Sequence, residues 1–336
     1  MNNILYICDK NFYEQKMSRV RFHSMEALGK ECNLMWWGPN WDGWENGSIV
    51  SNLKNIDSPI DLIVVYKPLD IANDWKEINI PICLRYNETY DIPWTTKEIT
   101  ESNASLVIFH HENDLFGNIH DYRKNMPNIS FKYIPHSAEK TIFREMSDVN
   151  KEYDILLVGA SGFSSKALGK PHYPIRDRMG DLLKNIPGNF RVGRFSKPHA
   201  RVNNAHNNHT AIDFARAINS AKICITDSGA PKSRFGKYIE IPMCGTVIAG
   251  DIPNDDVENF KKFVIEINMD MSDSQIISKI TEYLEDENKL EALKQAGLEW
   301  SKNYTQENYA RQFVNSISNF LISDRYEIFK KWEGKL

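Results

Sequence analysis

The stretch TDSGAPKSRFGKYIEIPMCGTVIAGDIP, from Thr226 to Pro253, decides the fold. It predicts the end of a strand, a glycine-containing loop, a short helix and a further strand in immediate succession. This order is typical of an α/β sheet, because a parallel crossover connection needs a segment of helical length. Ligands of open α/β sheets bind beyond the carboxyl ends of the strands. The loop Asp227–Ser233 lies at such an end and is where we first expect a binding site.

Short apolar runs of strand length recur along the chain, separated by stretches of helical length. Runs such as Leu62–Tyr66 and Ile155–Val158 are continuously apolar, which suits strands buried on both faces of a parallel sheet. The strands predicted in the first half are Ile4–Cys8, Asn33–Trp37, Asp61–Val65, Ile80–Leu84, Ser105–Phe109 and Phe131–Ile134. Those predicted in the second half are Asp154–Val158, Asn189–Val192, Lys222–Thr226, Gly245–Ala249 and Lys262–Ile265.

The length of 336 residues suits two domains. A polar stretch without apolar periodicity, Phe143–Tyr153, separates the two sets of strands. We therefore predict a first Rossmann-like domain over residues 1–147 and a second over residues 148–310. Apolar residues at helical spacing, among them Phe313 and Ile317, predict a long amphipathic helix near the end of the chain.

Composition narrows the class of protein. The net charge of −4 and the pI near 6.2 argue against a general nucleic-acid binder, which usually carries a basic surplus. The first residues lack the pattern of a signal peptide, and no apolar run approaches the roughly 20 residues that span a bilayer. The five cysteines are scattered without a CxxC pair, which favours reduced thiols and a cytoplasmic location.

Charged residues follow the loop at helical spacing. The helix is predicted to start near Ser233 or Arg234, with its first N–H groups and its dipole facing an anion. Arg234 and Lys237 are three residues apart and would share a helix face, and Glu240 lies three residues further on. Cations and N–H donors suit a diphosphate, and a carboxylate suits a ribose diol. An ordinary solvated helix face explains the same spacing equally well.

The segment from Thr226 to Pro253 resembles the donor-site signature of GT-B glycosyltransferases of the glycosyltransferase-4 type, and is most similar to their CgeB-like branch. That signature has two glutamates separated by seven residues, followed by a small-residue turn into a strand. Glu240 to Val247 match its second half. YIPHSAEKTIF, from Tyr133, resembles the turn that ends the first domain of the family, and the C-terminal region resembles its closing helices.

The resemblance implies two Rossmann-like domains facing a central cleft, the first binding the acceptor and the second the nucleotide-sugar donor. The helix over residues 311–336 would pack back on the first domain. Glu240 would bind the donor ribose, and Arg234 and Lys237 would stabilise the leaving phosphate. Further donor contacts are expected from Ser233, Phe235, Gly236, Gly245 and Thr246.

One position departs from this signature. Lys232 stands where the family has its first glutamate, which contacts the transferred sugar. Lys232 is therefore a donor-site candidate that carries a positive charge in place of a negative one. Two further arginines are donor candidates. Arg176 follows Pro174 at the start of a predicted helix and suits a phosphate contact or a structural role. Arg194 follows a predicted strand and lies either near the nucleotide base or in an ordinary turn.

The first half contains a tryptophan-rich segment, NLMWWGPNWDGW, with Trp36, Trp37, Trp41 and Trp44. Flat aromatic faces stack on sugar rings. One of the two strand tryptophans is expected in the core, and Trp41 and Trp44 are the predicted acceptor-binding residues.

Polar residues follow the fourth and fifth predicted strands, in RYNETYD and HHEND. A general base or a group near the reacting sugar is expected there. Glu88 and His111 are the catalytic candidates, and Asp91 is a candidate for acceptor binding. Each of them also suits a purely structural role. The resemblance implies retention of configuration.

No metal site is expected, because the chain has no Asp-x-Asp triplet and the pair His206 and His209 has no nearby cysteine or carboxylate. The expected co-substrate is a nucleoside diphosphate sugar carrying UDP or GDP, without another cofactor. The expected acceptor is a glycan, a lipid-linked glycan or a protein. The C-terminal EIFKKWEGKL leaves a weak membrane-surface contact open, and the oligomeric state is left open.

Two alternatives accompany this interpretation. A sugar-nucleotide epimerase of the same fold would act on the same donor with a carboxylate and a histidine of the first domain. A non-catalytic relative would bind the nucleotide without turnover, and Lys232 keeps that alternative open.

Overall fold

The computed structural model describes most of the chain, namely residues 2–15, 19–45, 47–86, 89, 91–112, 121–162, 164–165, 169–186, 188–195 and 209–333. The chain divides into two compact α/β units. The first unit contains the start of the chain, Arg21–Pro135 and the C-terminal helix that begins at Gln306. The second unit consists mainly of His136–Thr305.

The first unit is built on a six-stranded parallel sheet in the order β2-β1-β3-β4-β5-β6. Its strands are β1 Asn3–Ile7, β2 Asn33–Trp37, β3 Leu62–Val65, β4 Ile82–Tyr86, β5 Leu106–Phe109 and β6 Ser130–Tyr133. Its helices are Lys10–Gln15, Arg19–Leu28, Ile49–Leu53, Ile92–Glu101, Tyr122–Asn125 and the C-terminal Gln306–Glu333. Short 3-10 turns lie at Pro68–Asp70 and Trp75–Glu77.

The second unit is built on a five-stranded parallel sheet in the order β10-β7-β11-β12-β13, with a separate antiparallel pair β8-β9. The strands are β7 Tyr153–Val158, β8 Ser164–Ser165, β9 Lys170–Pro171, β10 Val192–Phe195, β11 Ala221–Ile225, β12 Val247–Gly250 and β13 Val264–Glu266. The helices are Pro174–Leu182, His209–Asn219, Lys237–Met243, Val257–Phe260, Asp273–Glu285 and Glu287–Ser301, with a 3-10 turn at Leu183–Asn185.

The continuous apolar runs are buried on both faces of the second sheet, as predicted. Ile155 and Leu157 of β7 pack in one apolar cluster with Ile276 and Ile280. Leu156 and Val158 point to the opposite face and pack in another cluster. Alternation of side chains along a strand therefore places one core on each side of the sheet.

Every strand predicted from an apolar run is present within one or two residues of its predicted ends, apart from β10, which begins three residues later. The pair β8-β9 was not predicted, because its Ser-Ser and Lys-Pro sequences carry no apolar signal.

The first unit ends at Pro135 rather than at residue 147. The segment that follows packs on the second unit: Ala138 N–H donates to the Tyr304 carbonyl, and Phe143 lies against Phe214. The predicted boundary was placed too late, because the polar stretch is held by tertiary contacts that have no sequence period.

The C-terminal helix begins at Gln306 and belongs to the first unit. Tyr309, Phe313 and Ile317 on this helix are buried, and the Asn2 side-chain amide donates to Ser318 at 2.7 Å. Within the described residues, no helix combines the length and apolar character that a membrane span requires. The side chains of the EIFKKWEGKL tail, with its suggested membrane contact, lie outside the described part of the chain.

Candidate functional site

The carboxyl edge of the second sheet carries two buried aspartates: Asp251 directly follows β12, and Asp227 lies two residues beyond the end of β11. The Asp227 Oδ1 accepts from Nε of Arg176 at 2.8 Å. Its other oxygen accepts from the backbone N–H groups of Ile175 and Arg176 at 3.1 and 3.2 Å. Burial raises the pKa of the Asp227 carboxyl, and the Arg176 charge and these N–H donors oppose that rise. Asp227 thus fixes both the start of helix Pro174–Leu182 and the guanidinium of Arg176.

Arg176 and Lys237 converge on one glycine. Gly159, directly after β7, has a φ of +105°, and a Cβ built there would lie 2.7 Å from Cε of Lys237 and closer still to Nη1 of Arg176. Arg176 is 1% exposed, its Nη1 donates to the Ala160 carbonyl at 2.8 Å, and its guanidinium lies 3.3 Å from the centre of the Tyr173 ring. The absence of a side chain at Gly159 is what allows the two cations to lie together at the carboxyl end of the central strands.

The second aspartate, Asp251, organises the loop after β11. Its carboxylate accepts from the Ser228 N–H at 2.8 Å and the Ser228 hydroxyl at 2.5 Å, and its backbone carbonyl accepts from the Tyr238 hydroxyl at 2.6 Å. Lys232 donates to the same carboxylate at 2.6 Å. The Lys232 side chain is 47% exposed and its backbone is left-handed, with φ of 55°. Lys232 therefore lies at the edge predicted for the donor site, as one partner of a lysine–aspartate ion pair.

The helix after this loop begins at Lys237, not near Ser233 or Arg234 as predicted. The preceding N–H groups already have partners: Ser233 donates to the Ser228 carbonyl at 3.1 Å, Arg234 to Asp255 at 2.6 Å and Phe235 to the Ser233 carbonyl at 3.0 Å. The N–H groups of Ser233 and Phe235 are therefore bonded within the protein, and contact of this backbone with the donor phosphates or sugar stays a prediction. Gly236 is the residue of that stretch whose N–H has no partner among the described residues.

The side chain of Arg234, predicted to stabilise the leaving phosphate, is buried beside two aromatic rings. Its guanidinium is 1% exposed and lies 4.5 Å from the centre of the Tyr304 ring and 5.6 Å from that of Trp300. Arg234 lies in the loop before the helix, so it does not share a helix face with Lys237. Its aromatic contacts give it a structural role in the core of the second unit.

Glu240 lies on the helix Lys237–Met243, and its side chain is fully buried. It is one turn beyond Lys237, so it lies on the same side of the helix as that cation. The predicted three-residue spacing therefore places Lys237 and Glu240 on one side of the helix, and protein atoms cover the Glu240 carboxylate.

Aromatic residues border the loop. Phe235 lies 6.1 Å from the His172 ring and 6.1 Å from the Tyr173 ring. Gly229 has a φ of +66°, and a Cβ there would lie 2.9 Å from the His172 carbonyl and from Phe235. At the end of β10, Arg194 donates to the Ser161 hydroxyl, which follows β7. Phe235 and Arg194 thus both lie at the carboxyl edge.

Gly245 and Thr246 lie at the opposite edge, before β12. Gly245 ends the helix Lys237–Met243 with a φ of +62°, and its N–H donates to the Pro242 carbonyl at 3.0 Å. The Thr246 hydroxyl donates to the Ile218 carbonyl at 2.9 Å. Instead of the predicted donor binding, Gly245 ends the helix and Thr246 holds the start of β12 in place.

The tryptophans of the first unit separate into two environments. Trp37 and Trp44 pack against the apolar core of that unit, so Trp44, predicted to bind the acceptor, has a packing role. Trp36 and Trp41 lie on the other side, with ring centres 6.1 Å apart. The Trp41 indole donates to the Cys8 carbonyl at 3.0 Å, and Lys10 Nζ lies 5.4 Å from its ring centre. Trp41 remains at the carboxyl edge of the first sheet.

The polar candidates of the first unit have mixed outcomes. Asp91 caps helix Ile92–Glu101 by accepting from the Trp94 N–H at 3.3 Å, which is the structural alternative to acceptor binding. His111 is 3% exposed and follows β5, as predicted. His110 is held by the Ile134 carbonyl, 2.8 Å from its Nδ1. Glu88 lies outside the described residues.

Three residues of the site were not singled out from the sequence: Gly159, Asp227 and Asp251. A signal was present for the two aspartates, because each lies within two residues of the end of a buried strand: β11 ends at Ile225 and β12 ends at Gly250. Within the residues that the structure covers, no three His, Cys, Asp or Glu side chains are grouped to hold a metal ion. His206 lies outside those residues.

No protein-family model matches the chain, and no curated protein sequence matches it either. Solved structures do match over almost its whole length. A sucrose-phosphate synthase from Thermosynechococcus elongatus is 12% identical, with a TM-score of 0.60, covering 96% of this chain and 100% of the other. HepE from Anabaena, in complex with UDP and glucose, is 12% identical, with a TM-score of 0.59, covering 95% and 100%.

An alpha-glucosyltransferase in complex with UDP-glucose and DNA containing an abasic site is 9% identical, with a TM-score of 0.57, covering 94% and 99%. These structures are glycosyltransferases, and some hold UDP or UDP-glucose. At these identities the likeness shows the fold: the chain has the two parallel-sheet α/β units of the GT-B architecture.

Proposed function

We propose that the protein is a glycosyltransferase that takes a sugar from a nucleoside diphosphate donor bound at the carboxyl edge of the second sheet. The observation that carries this proposal is the convergence of Arg176 and Lys237 on Gly159 at the end of β7. Two cations packed against a bare backbone, at the edge where α/β sheets bind ligands, suit a diphosphate. The fold shared with structures that hold UDP-glucose supports the same class of donor.

The roles within this site follow from the contacts. Asp227 keeps the Arg176 guanidinium in place, with Nε and Nη1 engaged, and Nη2 is the nitrogen that we assign to the diphosphate. Lys237 and the Gly236 N–H complete the set of donors. As the sugar–phosphate bond breaks, negative charge grows on the diphosphate, and preoriented cations stabilise it. We propose that these protein cations replace a metal ion and that configuration is retained.

The acceptor is proposed to be a glycan, a lipid-linked glycan or a protein bound by the first unit. Trp41 and His111, at or beside the carboxyl edge of the first sheet, are the residues we assign to it. UDP or GDP is the proposed leaving group. Resemblance to the CgeB-like branch supports Glu240 as the ribose ligand, which requires that donor binding uncover its carboxylate.

The test is a thermal-shift screen of the full chain against UDP, GDP, ADP, TDP and their common sugar conjugates, with and without EDTA. A ligand at 100 times its Kd stabilises the folded state by about 2.7 kcal/mol, which is a clear rise in Tm. We expect one nucleotide to stabilise the wild type regardless of EDTA. Lys237→Gln should lose this response, and Glu240→Gln should lose it if Glu240 binds the ribose.

Turnover then separates the alternatives. Release of the nucleoside diphosphate only in the presence of an acceptor supports a transferase. Conversion of the donor sugar without acceptor identifies an epimerase, and binding without turnover identifies a non-catalytic relative. If no nucleotide raises the Tm, the donor site is refuted.

A further inference from the structure

The first unit contains a buried cation, Arg85, that forms no ion pair with a carboxylate among the residues that the structure describes. Arg85 on β4 is 1% exposed, and its Nε donates to the Tyr309 hydroxyl at 3.1 Å. Its Nη2 is buried without a hydrogen-bond partner in the described structure. Burial disfavours the charged form of Arg85, but the hydroxyls of Tyr309, Tyr6 and Tyr66 raise its pKa overall. A buried guanidinium is strongly unfavourable unless an anion or a full set of hydrogen bonds compensates it.

A second buried donor lies on the same face of the sheet. In the register of the sheet, Tyr6 of β1 is paired with Val64 of β3, and Val64 is paired with Cys83 of β4. Arg85 is two residues beyond Cys83 and therefore shares its face with Tyr6. The Tyr6 hydroxyl is buried without a partner in the described chain. Burial raises the pKa of Tyr6, so the hydroxyl keeps its proton and can donate it.

The two groups without a partner, Arg85 Nη2 and the Tyr6 hydroxyl, can both donate a hydrogen bond. A ligand that binds them must therefore offer acceptor atoms. Guanidinium nitrogens and a tyrosine hydroxyl are suited to an oxyanion, and a planar guanidinium matches the oxygen spacing of phosphate and carboxylate alike. The Tyr309 ring centre, 5.9 Å from the Arg85 guanidinium, provides at most a weak cation–π contact. A neutral ligand would leave the charge of Arg85 uncompensated.

The position of Arg85 in the first sheet suggests which molecule carries the oxyanion. Arg85 is one residue before the end of β4, and His111 follows the neighbouring strand β5. Ligands of parallel sheets bind beyond this edge. We infer that Arg85 and Tyr6 form an oxyanion-binding site in the first unit, and that its ligand is a phosphate or carboxylate group carried by the acceptor. The identification of the ligand as acceptor rests on the proposed function, whereas the oxyanion site does not.

The first experiment uses inorganic phosphate as the probe. The Tm of the full chain is measured against phosphate concentration, with sodium chloride at matched ionic strength as the reference and acetate as a carboxylate series. Since Arg85 is nearly inaccessible, entry of the anion requires side-chain movement, and weak binding is expected. The wild type should gain about 2 °C or more in concentrated phosphate.

Matched variants locate the response. Arg216→Gln removes an exposed cation of the second unit that belongs to neither proposed site, and it should keep the phosphate response. Arg85→Met should lose it. Tyr6→Phe removes one oxygen atom and should fold normally with a reduced response, so it carries the test if Arg85→Met fails to fold. An equal phosphate response in the wild type, Tyr6→Phe and Arg85→Met would overturn the site.

The second experiment identifies the source. Donor turnover is measured with glucose, glucose 6-phosphate and glucuronate as simple acceptors, in the wild type and in Arg85→Lys. We expect the anionic acceptors to be preferred and their KM to rise about tenfold in Arg85→Lys, with the KM for glucose unchanged. Equal effects on charged and neutral acceptors would refute the assignment to the acceptor and leave free phosphate as the ligand. Loss of all nucleotide binding with an intact, Arg85-dependent phosphate response would refute the proposed function and support the site.

Discussion

Nε of Arg176 lies 2.8 Å from Oδ1 of Asp227, and both side chains are almost completely buried at the carboxyl edge of the second sheet. Removal of one partner of a buried pair leaves an uncompensated charge, which costs about 3–5 kcal/mol. We expect Asp227→Asn to lower the free energy of unfolding by about that amount, measured by urea denaturation. It should also weaken nucleotide binding, because Arg176 loses its support.

An exposed pair provides the control. Arg216 and Asp148 are linked at 2.8 Å, with side chains 48% and 67% exposed. Exposed pairs contribute roughly 0–1 kcal/mol, so Asp148→Asn should change stability little. Equal losses in Asp148→Asn and Asp227→Asn would contradict the view that burial makes the second pair important.

The Lys232–Asp251 pair should respond asymmetrically. The buried Asp251 carboxylate also accepts two hydrogen bonds from Ser228, whereas the Lys232 side chain is half exposed. We expect Asp251→Ala to cost about 3 kcal/mol or more, because buried donors lose a charged acceptor. Lys232→Ala should cost at most about 1 kcal/mol. Chemical denaturation of both variants measures the difference, and a larger loss in Lys232→Ala would show that the lysine, not the aspartate, supports the loop.

Two glycines of positive φ should separate binding from stability. In Gly159→Ala the added Cβ displaces Lys237 and Arg176, so we expect the nucleotide-dependent rise in Tm to be lost. In Gly245→Ala the Cβ lies 2.5 Å from Cγ of Glu145 at the other edge of the sheet. This variant should lose about 1–2 kcal/mol from its backbone conformation and keep the nucleotide response. A lost response in Gly245→Ala would restore that residue to the donor site.

The pH dependence of stability should report on Asp154 at the start of β7. Burial alone would raise its pKa, but the Arg191 N–H at 3.0 Å and the Lys222 ammonium at 2.9 Å bring the pKa below its usual value. A carboxyl whose pKa is lower in the folded state contributes stability above its unfolded pKa of about 3.9, and this is lost as pH falls through the folded pKa. The difference in unfolding free energy between wild type and Asp154→Asn should therefore be largest at neutral pH and shrink below about pH 4. A constant difference across urea denaturations at pH 7, 5 and 3 would contradict this.

The sheets were predictable because strands buried on both faces leave continuous apolar runs, as in Ile155–Val158. The site was predictable only in part. Arg234 and Lys237 are spaced for one helix face, but the helix begins only at Lys237. The reason is that Lys232 has a left-handed backbone and the Arg234 N–H donates to Asp255. Such tertiary contacts leave no periodic signal. The same applies to Asp227 and Asp251, single carboxylates whose partners lie far away in the sequence.

The contact between Arg85 and Tyr309 joins residues 224 positions apart within one unit. The six strands of the first sheet are complete at Tyr133, yet the helix that covers Arg85 follows the whole second unit in the chain. During synthesis on the ribosome, the part of the first sheet that packs against this helix, including Arg85, therefore stays uncovered until the helix emerges. The second unit needs no later segment, so its folding would come first. A truncation before Gln306 would leave apolar surface of the first unit exposed, and this unit would then depend on chaperones to avoid aggregation.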